Sequence, residues 1–392
     1  MPRLLSITTL YPNIHLPRFG TFVARQMEAL AAHGGWDVTV INPIGVPPFP
    51  MGRYRAQAEA AISGEEGGVD VRRPRFTLIP AVGGPFNPGM IVKAALPIAR
   101  RLHEEEPFAL VDAQFFYPDG PAAAQIAEDL GLPLAIKARG ADIQHWGQKA
   151  YALEKMLAAA DQASGLLAVS EALKADMVQL GFPGEKIAVH YTGLDRELFR
   201  PLDRGDSRRK LAEDYNVRLE DDAPLLATVG ALIPRKGQHF VIRALARLPD
   251  AHLVLVGSGG DRAALTELAL ELDLSRRVHF LGSLDHGELP TVLSASDALV
   301  MPSSSEGLAN AWVESLACGT PLVITDAGGA RELVSRPEAG RIVARDVEAI
   351  VTGVREVLAA GYAPADVARS VEAFSWEANA KALADIYARL ID

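Results

Sequence analysis

The sequence predicts an α/β fold of two doubly wound, Rossmann-like domains facing a central cleft, and three observations carry that prediction. Apolar runs of strand length alternate with helical stretches through the first half. A charged, apolar-poor segment then spans Arg200 to Pro224, and a second alternating series begins after it. Such alternation of buried runs and helices builds a parallel sheet covered on both faces. A length of 392 residues suits two cores of this kind.

The first series opens with strand Leu4 to Thr8, helix Thr21 to His33 and strand Val38 to Ile41. It continues through Ala109 to Val111, Leu134 to Lys137, Gly165 to Val169 and Ile187 to His190. The Arg200 to Pro224 segment has the composition of a linker, so the domains are expected at 1–200 and 201–374. The second series runs Leu225 to Val229, Leu253 to Val256, Val278 to Leu281, Ala298 to Met301 and Pro321 to Ile324. A closing helix over 375–392 shows Trp376, Ala380, Leu383, Ile386 and Leu390 at helical spacing, and is expected to pack back on the first domain.

Composition narrows the function classes. Apolar residues make up 49% of the chain, yet the longest apolar runs are strand-length and far short of a membrane span. The N-terminus enters a strand directly, without the apolar core of a signal peptide, and the single cysteine, Cys318, suits a reducing compartment. A cytoplasmic protein is expected. A net charge of −10 argues against nucleic-acid partners. The Pro-rich loop from Pro43 to Pro50, followed by Gly52-Arg53-Tyr54-Arg55, offers a face for a membrane surface or a lipid-linked substrate, and a solvated loop is the plainer reading.

The richest stretch is Pro302-Ser303-Ser304-Ser305-Glu306-Gly307-Leu308-Ala309-Asn310-Ala311-Trp312-Val313-Glu314, a strand end and glycine loop running into a helix expected near Leu308. Helix starts carry unpaired amides and partial positive charge, which suits an anion. At about 1.5 Å per residue the two acids lie on the order of 10 Å apart, too wide for a hydrolase carboxylate pair and suited to two ends of one long ligand. After Leu225 to Val229 comes Gly230-Ala231-Leu232-Ile233-Pro234-Arg235-Lys236-Gly237. Adjacent cations before a helix start suit a phosphate, without the Walker spacing. The Gly257-Ser258-Gly259-Gly260 turn lets backbone approach a ligand or simply closes a tight turn, and Leu281 ends a strand whose backbone can read a base edge or merely finish the sheet.

Taken in order, Lys236-Gly237, the Gly257 to Gly260 turn, Val278-His279-Phe280-Leu281-Gly282, the Glu306/Glu314 pair and Gly319-Thr320-Pro321 resemble the family-4 retaining glycosyltransferases of GT-B fold. Gly20-Thr21-Phe22-Val23, Tyr117-Pro118-Asp119-Gly120, Val169-Ser170, Gly193-Leu194-Asp195 and Phe374-Ser375-Trp376 extend the resemblance over essentially the whole chain. It implies a nucleotide-diphosphate sugar donor held mainly by the second domain. Glu306 would hold sugar hydroxyls and Glu314 the ribose. Lys236, with Arg235, would meet the diphosphate, assisted by backbone at Gly307, Leu308, Ala309 and Asn310. Gly20 would let the first domain's loop approach the same diphosphate. The acceptor would be a carbohydrate or a lipid-linked one.

Two departures stand out. Ala231 replaces the arginine usual after the strand-end glycine, and Ala138-Arg139-Gly140-Ala141-Asp142 stands where many members place His-Gly. The Arg-Gly-x-Asp form is similar to members that build bacterial surface polysaccharides. Arg139 and Asp142 are accordingly candidates for the catalytic set with Glu306 and Lys236, or for a structural ion pair. The chain has no Asp-x-Asp motif and no Cys/His metal spacing, so no metal or cofactor is expected. The expected activity is metal-independent transfer of a hexose-type sugar with retained configuration. A nucleotide-sugar 2-epimerase and a non-catalytic sugar-nucleotide binder share the same architecture.

Overall fold

The computed structural model describes every residue except 81, 221–222 and 392, and at Arg53 the backbone alone, so that side chain of the basic loop lies outside the described residues. Two compact units divide the chain, residues 1–193 with 376–392 and residues 194–375.

In the first unit the leading elements are β1 (Arg3–Ile7), α1 (Thr21–His33) and β2 (Asp37–Ile41). Short pieces follow as β3 (Ile44–Val46), α2 (Arg53–Glu59), β4 (Gly64–Glu66), β5 (Val69–Arg72) and β6 (Arg75–Thr77). The unit continues with α3 (Asn87–Glu105), β7 (Leu110–Ala113), α4 (Asp119–Leu130), β8 (Leu134–Ala138), α5 (Ala150–Gln162), β9 (Gly165–Ala168), α6 (Glu171–Gln179) and β10 (Ile187–Val189). The sheet order is β10-β9-β8-β7-β1-β2-β5-β4, parallel throughout except for the β4–β5 edge hairpin, with β3 and β6 pairing separately. The strand order reverses between β1 and β7, which makes the loops after those two strands the switch-point loops of this sheet.

Helix α1 forms because Val23, Met27 and Leu30 recur on one buried face, and Gly20 caps it at φ +72°. A Cβ on Gly20 would lie 2.5 Å from the Leu10 carbonyl carbon, so only glycine permits the loop to fold back there.

The second unit contains α7 (Arg204–Tyr215), β11 (Leu225–Val229), α8 (Gln238–Leu245), β12 (His252–Val256), α9 (Arg262–Glu271), β13 (Val278–Gly282) and α10 (Leu289–Ala295). It goes on through β14 (Ala298–Met301), α11 (Asn310–Ala317), β15 (Leu322–Thr325), α12 (Ala330–Leu333), β16 (Gly340–Val343), α13 (Val347–Ala360) and α14 (Pro364–Ala368). Its six strands are all parallel in the order β13-β12-β11-β14-β15-β16, the doubly wound pattern with its reversal between β11 and β14. Leu226, Val241, Leu245, Leu253, Leu255 and Val354 fill the core under α8, α9 and α13.

The segment read as a linker carries α7. Asp203 caps this helix by accepting from Asp206 N, Leu211 is buried, and Arg204 and Arg208 pair with Asp297 at 2.6 and 2.8 Å. Its charges tether a helix to the unit, which composition alone cannot distinguish from solvated linker charge. The closing helix, α15 (Trp376–Ile391), buries Leu383 and Tyr387 in the first unit's core, with Tyr387 edge-on to Trp36 at 5.7 Å. Trp376 lies where a Cβ on Gly193 would be, 2.1 Å from the ring. Gly193→Ala is therefore expected to cost about 1 to 3 kcal/mol and to shift the tryptophan emission, as read by denaturant unfolding monitored by fluorescence.

Candidate functional site

The switch point of the second sheet lies between β11 and β14, and the loops after those strands bring three of the expected residues, Lys236, Arg235 and Glu306, together. Lys236 Nζ donates to Glu306 Oε1 at 2.5 Å across 70 positions of sequence. Arg235 Nη1 lies 3.2 Å from Glu306 Oε2 and also donates to the Ser305 carbonyl. Glu306 is only 7% exposed, so two cations meet a carboxylate largely withdrawn from water. An ion pair of that kind persists only with good geometry. Lys236 ends a short 3-10 turn, Pro234–Lys236, directly before α8, whose N-terminal amides add positive character to the same place.

Glycines make these loops possible. Gly237 has φ +72°, and a Cβ there would come within 2.5 Å of the Pro302 carbonyl oxygen. Gly328 has φ +52° and would meet the carbonyl oxygens of Glu306 and Gly307 at 2.2 and 2.3 Å, while Gly329 N donates to Gly307 O at 2.8 Å. The Glu306 loop is thus held by backbone from the β15–α12 connection.

The Gly257 turn has a structural explanation of its own. Gly257 has φ +138° and a Cβ would lie 1.9 Å from Gly230 O. Gly230 N donates to Val256 O at 2.9 Å, and Gly257 N to Gly282 O at 2.7 Å. Close approach of neighbouring strand ends requires the glycine without reference to a ligand. Leu281 is half-buried one residue before the end of β13.

Helix α11 starts at Asn310 with Ala309 as its cap, two residues later than the expected start at Leu308, so Gly307 and Leu308 belong to the loop. Glu314 is 9% exposed, and its Oε1 lies 2.9 Å from His286 Nε2, within hydrogen-bond distance. The His286 ring is edge-on to Phe199 at 4.9 Å. Sequence reasoning missed His286, which carries no local signature 28 positions from its partner.

In the first unit, Asp142 is fully buried. Its carboxylate accepts from the backbone amides of Phe116 (2.8 Å), Arg139 (3.0 Å), Gly140 (2.8 Å) and Ile143 (3.1 Å). It ties the loop after β8 to the loop after β7. The expected alternative of an Arg139–Asp142 ion pair is corrected by the geometry, because the contact runs through Arg139's amide. The guanidinium instead donates to Gln114 O at 3.2 Å, Gln114 Oε1 at 2.5 Å and Gln26 Oε1 at 3.2 Å, and lies 5.1 Å from the Phe22 ring centre. Beneath it, buried Lys137 donates to Gln26 Oε1 at 2.8 Å and lies 2.5 Å from His190 Nδ1. Burial pushes both Lys137 and His190 well below their usual pKa values, which favours a neutral pair.

Asp119, fully buried at the start of α4, joins the two switch-point loops of this sheet: its carboxylate accepts from Thr9 N at 2.8 Å and Thr9 Oγ1 at 2.9 Å. Burial raises its pKa to about 7 against the lowering effect of those bonds. Between about pH 4 and 7 the folded state therefore holds a proton at Asp119 that the unfolded state has released. This group's contribution to stability is greatest below about pH 4 and falls as pH rises toward 7. Asp119→Asn is expected to remove that component, flattening the fall in unfolding free energy measured by denaturant titration across this range.

Among the described residues no group of three or more His, Cys, Asp or Glu side chains is placed to hold a metal ion. No helix among them is long and apolar enough to cross a membrane.

Residues 19–193 match the model of the glycosyl transferase 4-like domain, and residues 212–373 match that of glycosyl transferases group 1. The chain is 28% identical over 362 residues to the putative teichuronic acid biosynthesis glycosyltransferase TuaC of Bacillus subtilis, covering 90% of this chain and 88% of that one. It is 35% identical over 179 residues to the GDP-mannose-dependent α-(1-6)-phosphatidylinositol monomannoside mannosyltransferase of Mycolicibacterium smegmatis; that match spans 43% of this chain and about half, 46%, of the relative. Among solved structures, Anabaena HepE in complex with UDP and glucose superposes with a TM-score of 0.74 at 22% identity over all of both chains.

Proposed function

The chain belongs to the GT-B glycosyltransferases, joining a glycosyl transferase 4-like domain to a group 1 domain, and from that premise we propose that it moves a hexose-type sugar from a nucleotide-diphosphate donor to an acceptor hydroxyl with retained configuration. The observation that carries the reading is the Lys236–Glu306 contact at the β11/β14 switch point. A donor diphosphate fits there because Lys236, Arg235 and the start of α8 supply positive character at one spot. Glu306, released from its cations, turns to sugar hydroxyls, and Glu314 takes the ribose. As the bond from the anomeric carbon to the diphosphate breaks, charge accumulates on the leaving oxygens and these groups stabilise it. The acceptor hydroxyl attacks from the same face, forming the new bond to the anomeric carbon, and its proton passes to the departing diphosphate oxygen. Cationic side chains in this role support transfer without a metal. In the first unit, the family resemblance leaves Arg139 open between a substrate contact and a structural role.

The names of the relatives support polysaccharide or glycolipid biosynthesis as the setting. Phe49, 86% exposed, and Met51, 73% exposed, lie just before Tyr54 and Arg55, which supports a lipid-linked acceptor or peripheral contact at the inner face of the cytoplasmic membrane. Two measurements test the function. A thermal-shift panel of nucleoside diphosphates and their sugars is expected to single out one base, with a stabilisation of about 2.7 kcal/mol at a hundredfold excess over Kd. Incubation of the preferred donor is expected to yield glycosylated product only with acceptor present; an epimer formed from donor alone would instead establish the 2-epimerase.

A further inference from the structure

Both loops of the proposed donor site are grasped by a side chain that belongs to neither. Arg345 stands in the loop between β16 and α13. Its Nε donates to Pro302 O at 2.8 Å, on the loop leading to Glu306, and its Nη2 donates to Pro234 O at 3.0 Å, on the turn bearing Arg235 and Lys236. The guanidinium carbon lies over the Phe240 ring, 4.9 Å from its centre, a favourable cation–π contact. Gly237 clears the way: a Cβ there would reach within 3.3 Å of Arg345 Nη2 as well as 2.5 Å of Pro302 O. A further bond, Ser304 N to Arg235 O at 2.8 Å, closes the same seam.

We propose that Arg345 is a positioning residue for the donor diphosphate, a two-armed staple that sets the spacing between Lys236 and Glu306. The physical case rests on the shape of the group. A guanidinium donates from several nitrogens in one rigid plane and can hold two carbonyls of different loops at once, whereas an ammonium on a flexible stem is a single point charge. Arg345 needs no contact with the ligand. It removes loop freedom that would otherwise be lost on binding, so its effect falls on donor affinity and on the alignment of the leaving group. The inference rests on the donor site proposed above.

The test uses Arg345→Ala and Arg345→Lys in the full chain, with Lys236→Ala as control, and reads Kd for UDP and for GDP by calorimetry together with KM for donor and acceptor. Loss of two charge-assisted hydrogen bonds predicts at least about a tenfold rise in Kd for the better-bound nucleotide in both Arg345 variants. Donor KM should rise in parallel with acceptor KM unchanged, and added methylguanidinium should partly restore Arg345→Ala but not Arg345→Lys. Should Arg345→Ala fail to fold, the lysine variant carries the test. Unchanged nucleotide affinity in Arg345→Lys, or equal rises in donor and acceptor KM, would overturn the staple. If Lys236→Ala also binds UDP and GDP as the unaltered protein does, the donor site itself is misplaced; if only Lys236→Ala loses affinity, the staple alone fails.

Discussion

Lys236→Ala is expected to lower sugar transfer by about a hundredfold to a thousandfold in kcat, the scale seen when one preorganised group that stabilises a leaving or developing anion is removed. The loss should be in kcat more than in acceptor KM, because Lys236 meets charge that grows as the diphosphate departs. In the structure Lys236 also faces Glu306 at 2.5 Å, and its removal leaves that carboxylate with Arg235 at 3.2 Å among its partners. Stability should therefore fall only modestly, which a thermal melt can verify before kinetics are compared. Glu306→Gln keeps a hydrogen-bonding group in place and should lose less turnover than Glu306→Ala. Equal turnover in Lys236→Ala and the unaltered enzyme would remove Lys236 from the chemistry.

Asp142→Ala is expected to act on the fold. Its carboxylate accepts from four backbone amides in a fully buried position, and truncation would leave those donors without it. At about 1 to 3 kcal/mol for each buried donor left unsatisfied, the expected loss is roughly 4 kcal/mol or more, readable as a lower denaturant midpoint. Such a variant should also misplace Arg139, whose backbone starts the same loop. A variant with normal stability and abolished turnover would instead put Asp142 in direct contact with substrate.

Much of the fold was legible because its strands are short, fully buried apolar runs between clear helices. Leu225–Val229, Ala298–Met301 and helix Thr21–His33 fall at the positions read from sequence. The small strands β3 to β6 were not legible, since three-residue and four-residue pieces with exposed positions carry too little periodicity. Strand β16, Gly340–Val343, escaped because its sequence includes Arg341 and only its first residue is fully buried. Helix α7 escaped because ion pairs to Asp297 rather than an apolar face do much of the holding.

The same contrast holds at the site. Glu306 and Lys236 stood out because each follows a strand and precedes a helix, the place where doubly wound sheets bind ligands. Their contact became visible only with the strand order that sets β11 beside β14. Arg345 and His286 could not be read at all. One works by holding backbone carbonyls, which leave no trace in residue type, and the other is a lone histidine whose partner is set by the packing of α11.

The most direct test of the donor-site assignment is calorimetric binding of a nucleoside diphosphate beside its parent nucleoside, with and without Lys236. The expected result is that the diphosphate supplies most of the affinity and that Lys236→Ala brings the two ligands close to equal. A nucleoside diphosphate that binds Lys236→Ala as tightly as the unaltered protein would contradict the assignment of the β11/β14 switch point as the diphosphate site.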